Sequence, residues 1–159
     1  MIQIVTTGGT IDKVYFDANS EFEVGDSLLP ELLSESNIHD GYQITGLMRK
    51  DSLEMNDADR ERVRQTVASS QCDKILITHG TDTMAETAQA LTAINDKTIV
   101  LMGAMQPARM RRSDAVFNLG FAWAAVQLLP AGVYIAMNGE VFAAGAVRKN
   151  LKAQRFERT

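Results

Sequence analysis

Short apolar runs alternate with helical patterns along the chain. Residues 2–6 (IQIVT) read as a buried strand, and residues 42–48, 74–78, 98–102 and 133–137 repeat the signal, with a shorter sixth run at 141–144. Residues 28–36 predict a short helix. Asn56 and Asp57 open a second, with Val63 and Val67 at i and i+4. Residues 82–94 predict a third helix. Ser113 or Asp114 caps a long apolar one that runs to Leu129 and is closed by Pro130. Residues 8–27, which hold Gly, Asp, Asn and Ser, predict a long loop. Strands that alternate with helices predict an α/β fold, a doubly wound and mostly parallel sheet with helices on both faces. No repeat, low-complexity tract or linker divides residues 1–159, so one domain and no second domain is expected. The tail, residues 149–159, is charged and short of apolar side chains, and is expected to end the domain without a second core.

Composition narrows the classes of function. A 45% hydrophobic fraction over 159 residues supports a sizeable core, and a net charge of −4 gives no electrostatic reason for a nucleic-acid or acidic-lipid partner. No apolar run reaches the length of a membrane span. Residues 1–5 lack a basic region followed by an apolar one, which argues against a signal peptide and makes the cytoplasm the expected compartment. The single cysteine, Cys72, excludes an internal disulfide and a cysteine metal cluster, and reads as a packed thiol.

Sites in open parallel sheets form beyond the carboxyl ends of the strands. Three polar turns fall there: Thr6-Thr7-Gly8-Gly9-Thr10, Asp51-Ser52-Leu53-Glu54, and Thr78-His79-Gly80-Thr81-Asp82-Thr83. Each has a bland reading. The first could be a tight turn whose threonines satisfy local backbone groups. Asp82 or Thr81 could simply cap a helix, and His79 could be hydrogen-bonded structure rather than a base. The chemical reading is that the glycines admit a substrate to the backbone while Thr10 presents a hydroxyl. The cluster around Thr81 would then supply a proton-transfer system and an anchor for substrate charge. Gly-Gly after a strand could instead cradle a phosphate, although the spacing of the phosphate-binding loops is absent.

In combination these turns resemble the bacterial-type L-asparaginases, the asparaginase/glutaminase family. "TGGTI" (7–11) and "HGTDTM" (79–84) are similar to its two signature segments. "DSLEMND" (51–57) is similar to its serine-containing substrate loop, and "LMGAMQP" (101–107) to its Gly-Ala-Met-Arg-Pro segment. "FNL" (117–119) and "MNGEVFAAGAVRKN" (137–150) follow in order. The resemblance implies Thr10 as primary nucleophile on a flexible loop, hinged by Gly8 and Gly9, and a second triad of Thr81, Asp82 and Lys149. Without the family, Lys149 would read as a solvated tail residue. The resemblance also implies that Ser52 holds the substrate α-carboxylate and Asp82 its α-ammonium. Gly9, Gly80 and Thr81 would line the pocket, and Ala104 would contact the amide side. Neither metal nor organic cofactor is implied.

The chain departs from that pattern at four points. Phe22 stands where the family has a loop tyrosine, and Tyr15 is the expected replacement. Leu53 stands where a glutamine often lies near the substrate amino group. Gln106 replaces an arginine. The residues of the smaller C-terminal domain are absent, so a short single-domain member is expected. The resulting expectation is hydrolysis of L-asparagine to aspartate and ammonia through an acyl-threonine ester, with weak affinity, in a homodimer or higher homo-oligomer. Hydrolysis of glutamine or another small amide, or a non-catalytic small-molecule-binding module, are the alternatives.

Overall fold

The computed structural model describes residues 1–16, 18 and 20–159. The described residues form a six-stranded sheet and two separate hairpins. The sheet strands are β1 (Ile2–Gly8), β4 (Tyr42–Lys50), β5 (Lys74–Thr78), β6 (Thr98–Met102), β7 (Gly132–Met137) and β8 (Glu140–Ala143). Their spatial order is β4-β1-β5-β6-β7-β8, with β8 alone antiparallel. The parallel strands thus run second, first, third, fourth, fifth, and the order reverses between β1 and β5, where such sheets open a crevice.

Alternation along the strands divides the core in two. Val5, Ile75, Ile77, Ile99, Leu101 and Ile135 face α2 (Asp57–Ser69) and α3 (Met84–Ala90). Ile2, Ile4, Leu76, Val100, Met102 and Ala136 face α1 (Leu29–Glu35) and α4 (Ala115–Leu128). Helix α2 starts on a reciprocal cap: Asn56 Oδ1 accepts from the Asp59 N–H at 3.0 Å, and the Asp59 carboxylate accepts from the Asn56 N–H at 3.1 Å. Helix α3 is shorter than its sequence predicts, because turns take over after Ala90.

Two hairpins differ from the sequence-based expectation. The segment predicted as a loop contains β2 (Lys13–Phe16) paired antiparallel with β3 (Glu21–Val24); residues 17 and 19 of that loop lie outside the described residues. The charged tail forms β9 (Val147–Asn150) and β10 (Arg155–Arg158), and it contributes to the core after all. Cross-strand partners share a face, so Val147, Lys149 and Phe156 point inward together. Val147 and Phe156 are buried in the α2/α3 layer, and the Phe156 ring lies 6.3 Å from that of Phe142. The alternate face carries Arg148 and Glu157, an ion pair at 3.7 Å.

Two titratable groups are buried at the upper edge of the sheet. His79 follows β5 and is fully enclosed. Its Nδ1 donates to the Gly80 carbonyl at 2.7 Å, so Nε2 accepts from the Thr87 hydroxyl at 2.8 Å and the ring is neutral. Burial, against the pull of the Gly80 carbonyl, lowers its pKa from 6.5 to about 4. Asp12 closes the base of the β2–β3 hairpin: its carbonyl accepts from Gly25 N–H at 2.9 Å, and its carboxylate from Leu28 N–H at 3.2 Å. Burial raises its pKa from 3.8 to about 6, outweighing the Leu28 and Ser27 hydrogen bonds and the charge of Arg109.

These shifts oppose each other in pH. The stability contributed by neutral His79 is complete above pH 6.5 and is lost as pH falls towards 4. That contributed by protonated Asp12 is complete below 3.8 and is lost as pH rises through 6. Each amounts to about 3 kcal/mol at 1.36 kcal/mol per pKa unit. The native chain should therefore have a nearly level melting temperature between about pH 5 and 6.5, above the range in which Asp51, Asp59, Glu61, Asp114 and Glu157, held below their ordinary carboxyl values by hydrogen bonds, begin to take up protons. Asp12→Asn should keep the hydrogen bond to Leu28 and unmask the histidine, so that its melting temperature falls steadily with acid. Thermal melts at half-unit pH intervals check this, and a level profile in the variant would contradict it.

Candidate active site

The crevice between β1 and β5 is built on missing side chains. Gly9 follows β1 with φ of +90°, a conformation that L side chains rarely adopt, and a methyl group there would collide with the backbone of Gly80. A methyl group on Gly80 would in turn fall 2.7 Å from both Cβ and Oγ of Ser52. The turns after β1, β5 and β4 are therefore stacked in that order, the first two backbone against backbone and the third with Ser52 against Gly80. Gly9 N–H also donates to the Lys50 carbonyl at 2.9 Å, which ties the first turn to the end of β4. Thr10, next along, opens a single 3₁₀ turn (Thr10–Asp12) and is half-buried.

Ser52 lies in a second 3₁₀ turn (Ser52–Glu54), capped by Asp51, whose Oδ1 accepts from Leu53 N–H at 3.1 Å. Ser52 is buried. Its Oγ accepts from Thr83 N–H at 3.3 Å, and its carbonyl accepts from the Thr83 hydroxyl at 2.8 Å. Thr83 precedes α3, so this helix start and the serine turn are bound as one unit.

Lys149 reaches the same place from β9. Its Nζ donates to Thr81 Oγ1 and to Asp82 Oδ1, each at 2.7 Å, and its side chain is only 9% exposed. Strand parity explains this: Lys149 shares the inward face with Val147 and Phe156, which are buried beneath it. Thr81 Oγ1 accepts from the ammonium, so its own hydroxyl proton is available to a ligand. The Asp82 carboxylate offsets the lysine charge and holds the third member of the cluster in place.

The structure brings together Gly9, Gly80, Ser52, Thr81, Asp82 and Lys149, with Thr10 adjoining Gly9. Two other candidates sit differently. Tyr15 is on β2, 53% exposed, its ring 5.4 Å from that of its cross-strand partner Phe22. Ala104 is buried beyond β6, packed in the α1/α4 layer that also holds Ile11. Sequence reasoning did not single out Thr83 as the clamp on Ser52. Nor did it find the ion pair between Lys13 Nζ and Asp51 Oδ2 at 2.9 Å. It also missed a polar network beyond β6, centred on the buried Asn118. There Asn118 donates to the Gly103 carbonyl and to Asp114, and accepts from Asn138 N–H, while Asp114 also accepts from Met105 and Gln106 N–H. The polar Asn118 inside an apolar helix was the available signal.

No group of three or more His, Cys, Asp or Glu side chains among the described residues could hold a metal ion. Gly9→Ala should be severe, since it adds backbone strain to a backbone collision; about 3 kcal/mol of destabilisation is expected. Urea unfolding checks this, and a loss below about 1 kcal/mol would mean that the first two turns are not in contact.

Similarity to known proteins agrees with this geometry. The family model described as Asparaginase, N-terminal matches residues 1–157. A probable periplasmic L-asparaginase of Haemophilus influenzae is 37% identical over 164 residues, covering 93% of this chain and 46% of that protein. A glutaminase-asparaginase of Acinetobacter glutaminasificans is 31% identical over 164 residues, covering 94% and 50%. The crystal structure of a probable cytoplasmic L-asparaginase from Campylobacter jejuni superposes with a TM-score of 0.83 at 32% identity, covering 99% of this chain and 52% of that one. The chain thus spans about half the length of the relatives it matches, and across that half it belongs to the asparaginase family.

Proposed function

We propose that the protein is an amidohydrolase that converts L-asparagine to L-aspartate and ammonia through an acyl-threonine ester. The observation that carries this reading is the Lys149 ammonium held between Thr81 and Asp82 at 2.7 Å, beside the stacked glycines that lead to Thr10. A cap would need one side chain; this cluster has a hydroxyl, a carboxylate and a buried lysine drawn from residues 67 and 68 positions apart. Family membership supports the reaction class.

In this reading the substrate carboxylate lies at Ser52 and its ammonium at Asp82. Thr10 Oγ adds to the amide carbonyl carbon. Its proton passes to the departing nitrogen, the C–N bond breaks, and ammonia leaves. Backbone N–H groups near Thr10 and Thr81 stabilise the oxyanion, each donor contributing roughly 3 to 4 kcal/mol in well-studied hydrolases. Water, positioned by Thr81 and Lys149, then adds to the ester, and its proton returns to Thr10 Oγ. Tyr15 assists Thr10 if the hairpin turns inward over the substrate. Glutamine is the second reading, because the Acinetobacter relative is named a glutaminase-asparaginase.

Thr10→Ala, Thr81→Val and Lys149→Met should each lower ammonia release by at least about a hundredfold. Circular dichroism and melting temperature should stay close to native for Thr10→Ala. Tyr15→Phe should slow turnover more than Phe22→Leu. Near-native release by folded Thr10→Ala would sink the nucleophile assignment.

Affinity and assembly belong to the same proposal. Leu53 is 72% exposed and offers no hydrogen bond to the substrate ammonium. One lost hydrogen bond to a charged group lowers affinity about tenfold or more, so a Michaelis constant in the millimolar range is expected. Phe117, Val116 and Leu128 are exposed on α4, an apolar surface that suits a two-fold homodimer. Steady-state kinetics and light scattering on one sample test both. Micromolar saturation by a monomer would contradict them.

A further inference from the structure

We propose that Lys13 and Asp51 are a positioning pair that clamps the β2–β3 hairpin onto the serine turn and neutralises that turn for an anionic substrate group. Lys13 is the first residue of β2, three positions after Thr10. Asp51 immediately precedes Ser52. Their side chains meet at 2.9 Å and are 25% and 28% exposed. The two Asp51 oxygens divide the work: Oδ1 takes the Leu53 N–H and shapes the turn, and Oδ2 takes Lys13. One carboxylate therefore holds both the turn that carries Ser52 and the strand that carries Tyr15.

The hairpin needs such a tie. Tyr15, Phe16, Glu21, Phe22 and Glu23 are exposed, so β2 and β3 bury little apolar surface of their own. At the base, the hairpin is anchored by Gly25 N–H on the Asp12 carbonyl and by Gly9 N–H on the Lys50 carbonyl. The Lys13–Asp51 pair joins β2 itself to the serine turn. It also sets the local charge. Asp51 stays below the usual carboxylate range: burial alone would raise it, but the Lys13 and Leu53 hydrogen bonds and the charges of Lys13 and Lys149 outweigh burial. Without Lys13, a bare carboxylate would stand beside Ser52 and repel a substrate carboxylate.

Two measurements on the whole chain test the pair. Amide hydrogen exchange in the hairpin does not depend on any catalytic reading. Lys13→Met should speed exchange across β2 and β3 about threefold, with the β9–β10 hairpin unchanged. Asp51→Asn, which keeps an acceptor for Leu53, should do the same. The double variant should do no more than either, and Lys13→Arg should restore native exchange. Unchanged exchange in Lys13→Met, or additive effects in the double variant, would overturn the clamp. The kinetic consequence rests on the amide-hydrolysis reading. Lys13→Met should raise the Michaelis constant for asparagine about three- to fivefold at low salt, less at high salt, with kcat within about twofold. A fall in kcat with an unchanged Michaelis constant would overturn the neutralising role. If the native chain releases no ammonia but the exchange pattern holds, amide hydrolysis fails and the clamp stands.

Discussion

Everything at the crevice depends on two positions where no side chain fits. Gly9 lies against the backbone of Gly80, and Gly80 against Ser52. Protein interiors resist even one extra methylene, and at Gly9 the neighbours are main chain, which cannot rotate away, while at Gly80 they are Cβ, Oγ and N of Ser52. The contact brings the turns after three parallel strands within reach of one small molecule. It also explains why Thr10, Ser52 and Thr81 converge although they lie 42 and 29 residues apart in sequence. The strand order reverses between β1 and β5, so the crevice opens where the helices leave the sheet on opposite faces.

The polar side chains around this contact divide between those that shape the turns and a compact charged group. His79 is neutral and spends both ring nitrogens on Gly80 and Thr87. Its task is to hold the shape of the turn that carries Thr81. Thr83 does the same for Ser52, and the Asp114–Asn118–Asn138 network does it for the loop after β6. Lys149, Thr81 and Asp82 form a compact charged group with a hydroxyl proton left over. A helix cap does not require that arrangement; under the proposed reaction it is the proton-transfer system.

Much of the fold was legible in the chain itself. Continuous apolar runs marked β1, β5, β6 and β7 because parallel strands are covered on both faces. The first hairpin was hidden, since its strands are mostly exposed and their polar residues look like loop. The second was hidden because Phe156 is an isolated apolar residue in a charged tail. Its burial depends on Phe142 and α3, which no local window contains. That is why Lys149 was visible only through family resemblance: its inward aim follows from the register of a hairpin that the pattern did not reveal. Asp51 was noticed within a polar turn, but its ion pair with Lys13, 38 residues away, has no periodicity to betray it.

The β9–β10 hairpin has a consequence for the order of events in folding. Its own twelve residues pair locally, but Lys149 meets Thr81 across 68 positions. Closing so long a loop is favoured only once the sheet has brought the ends together. The lysine therefore joins the cluster after β5 and α3 are in place, and Phe156 seats it there. Partly folded chains would expose Thr81 without its ammonium partner, as a hydroxyl like any other. The complete Lys149–Thr81–Asp82 group is therefore assembled only with the last piece of tertiary structure.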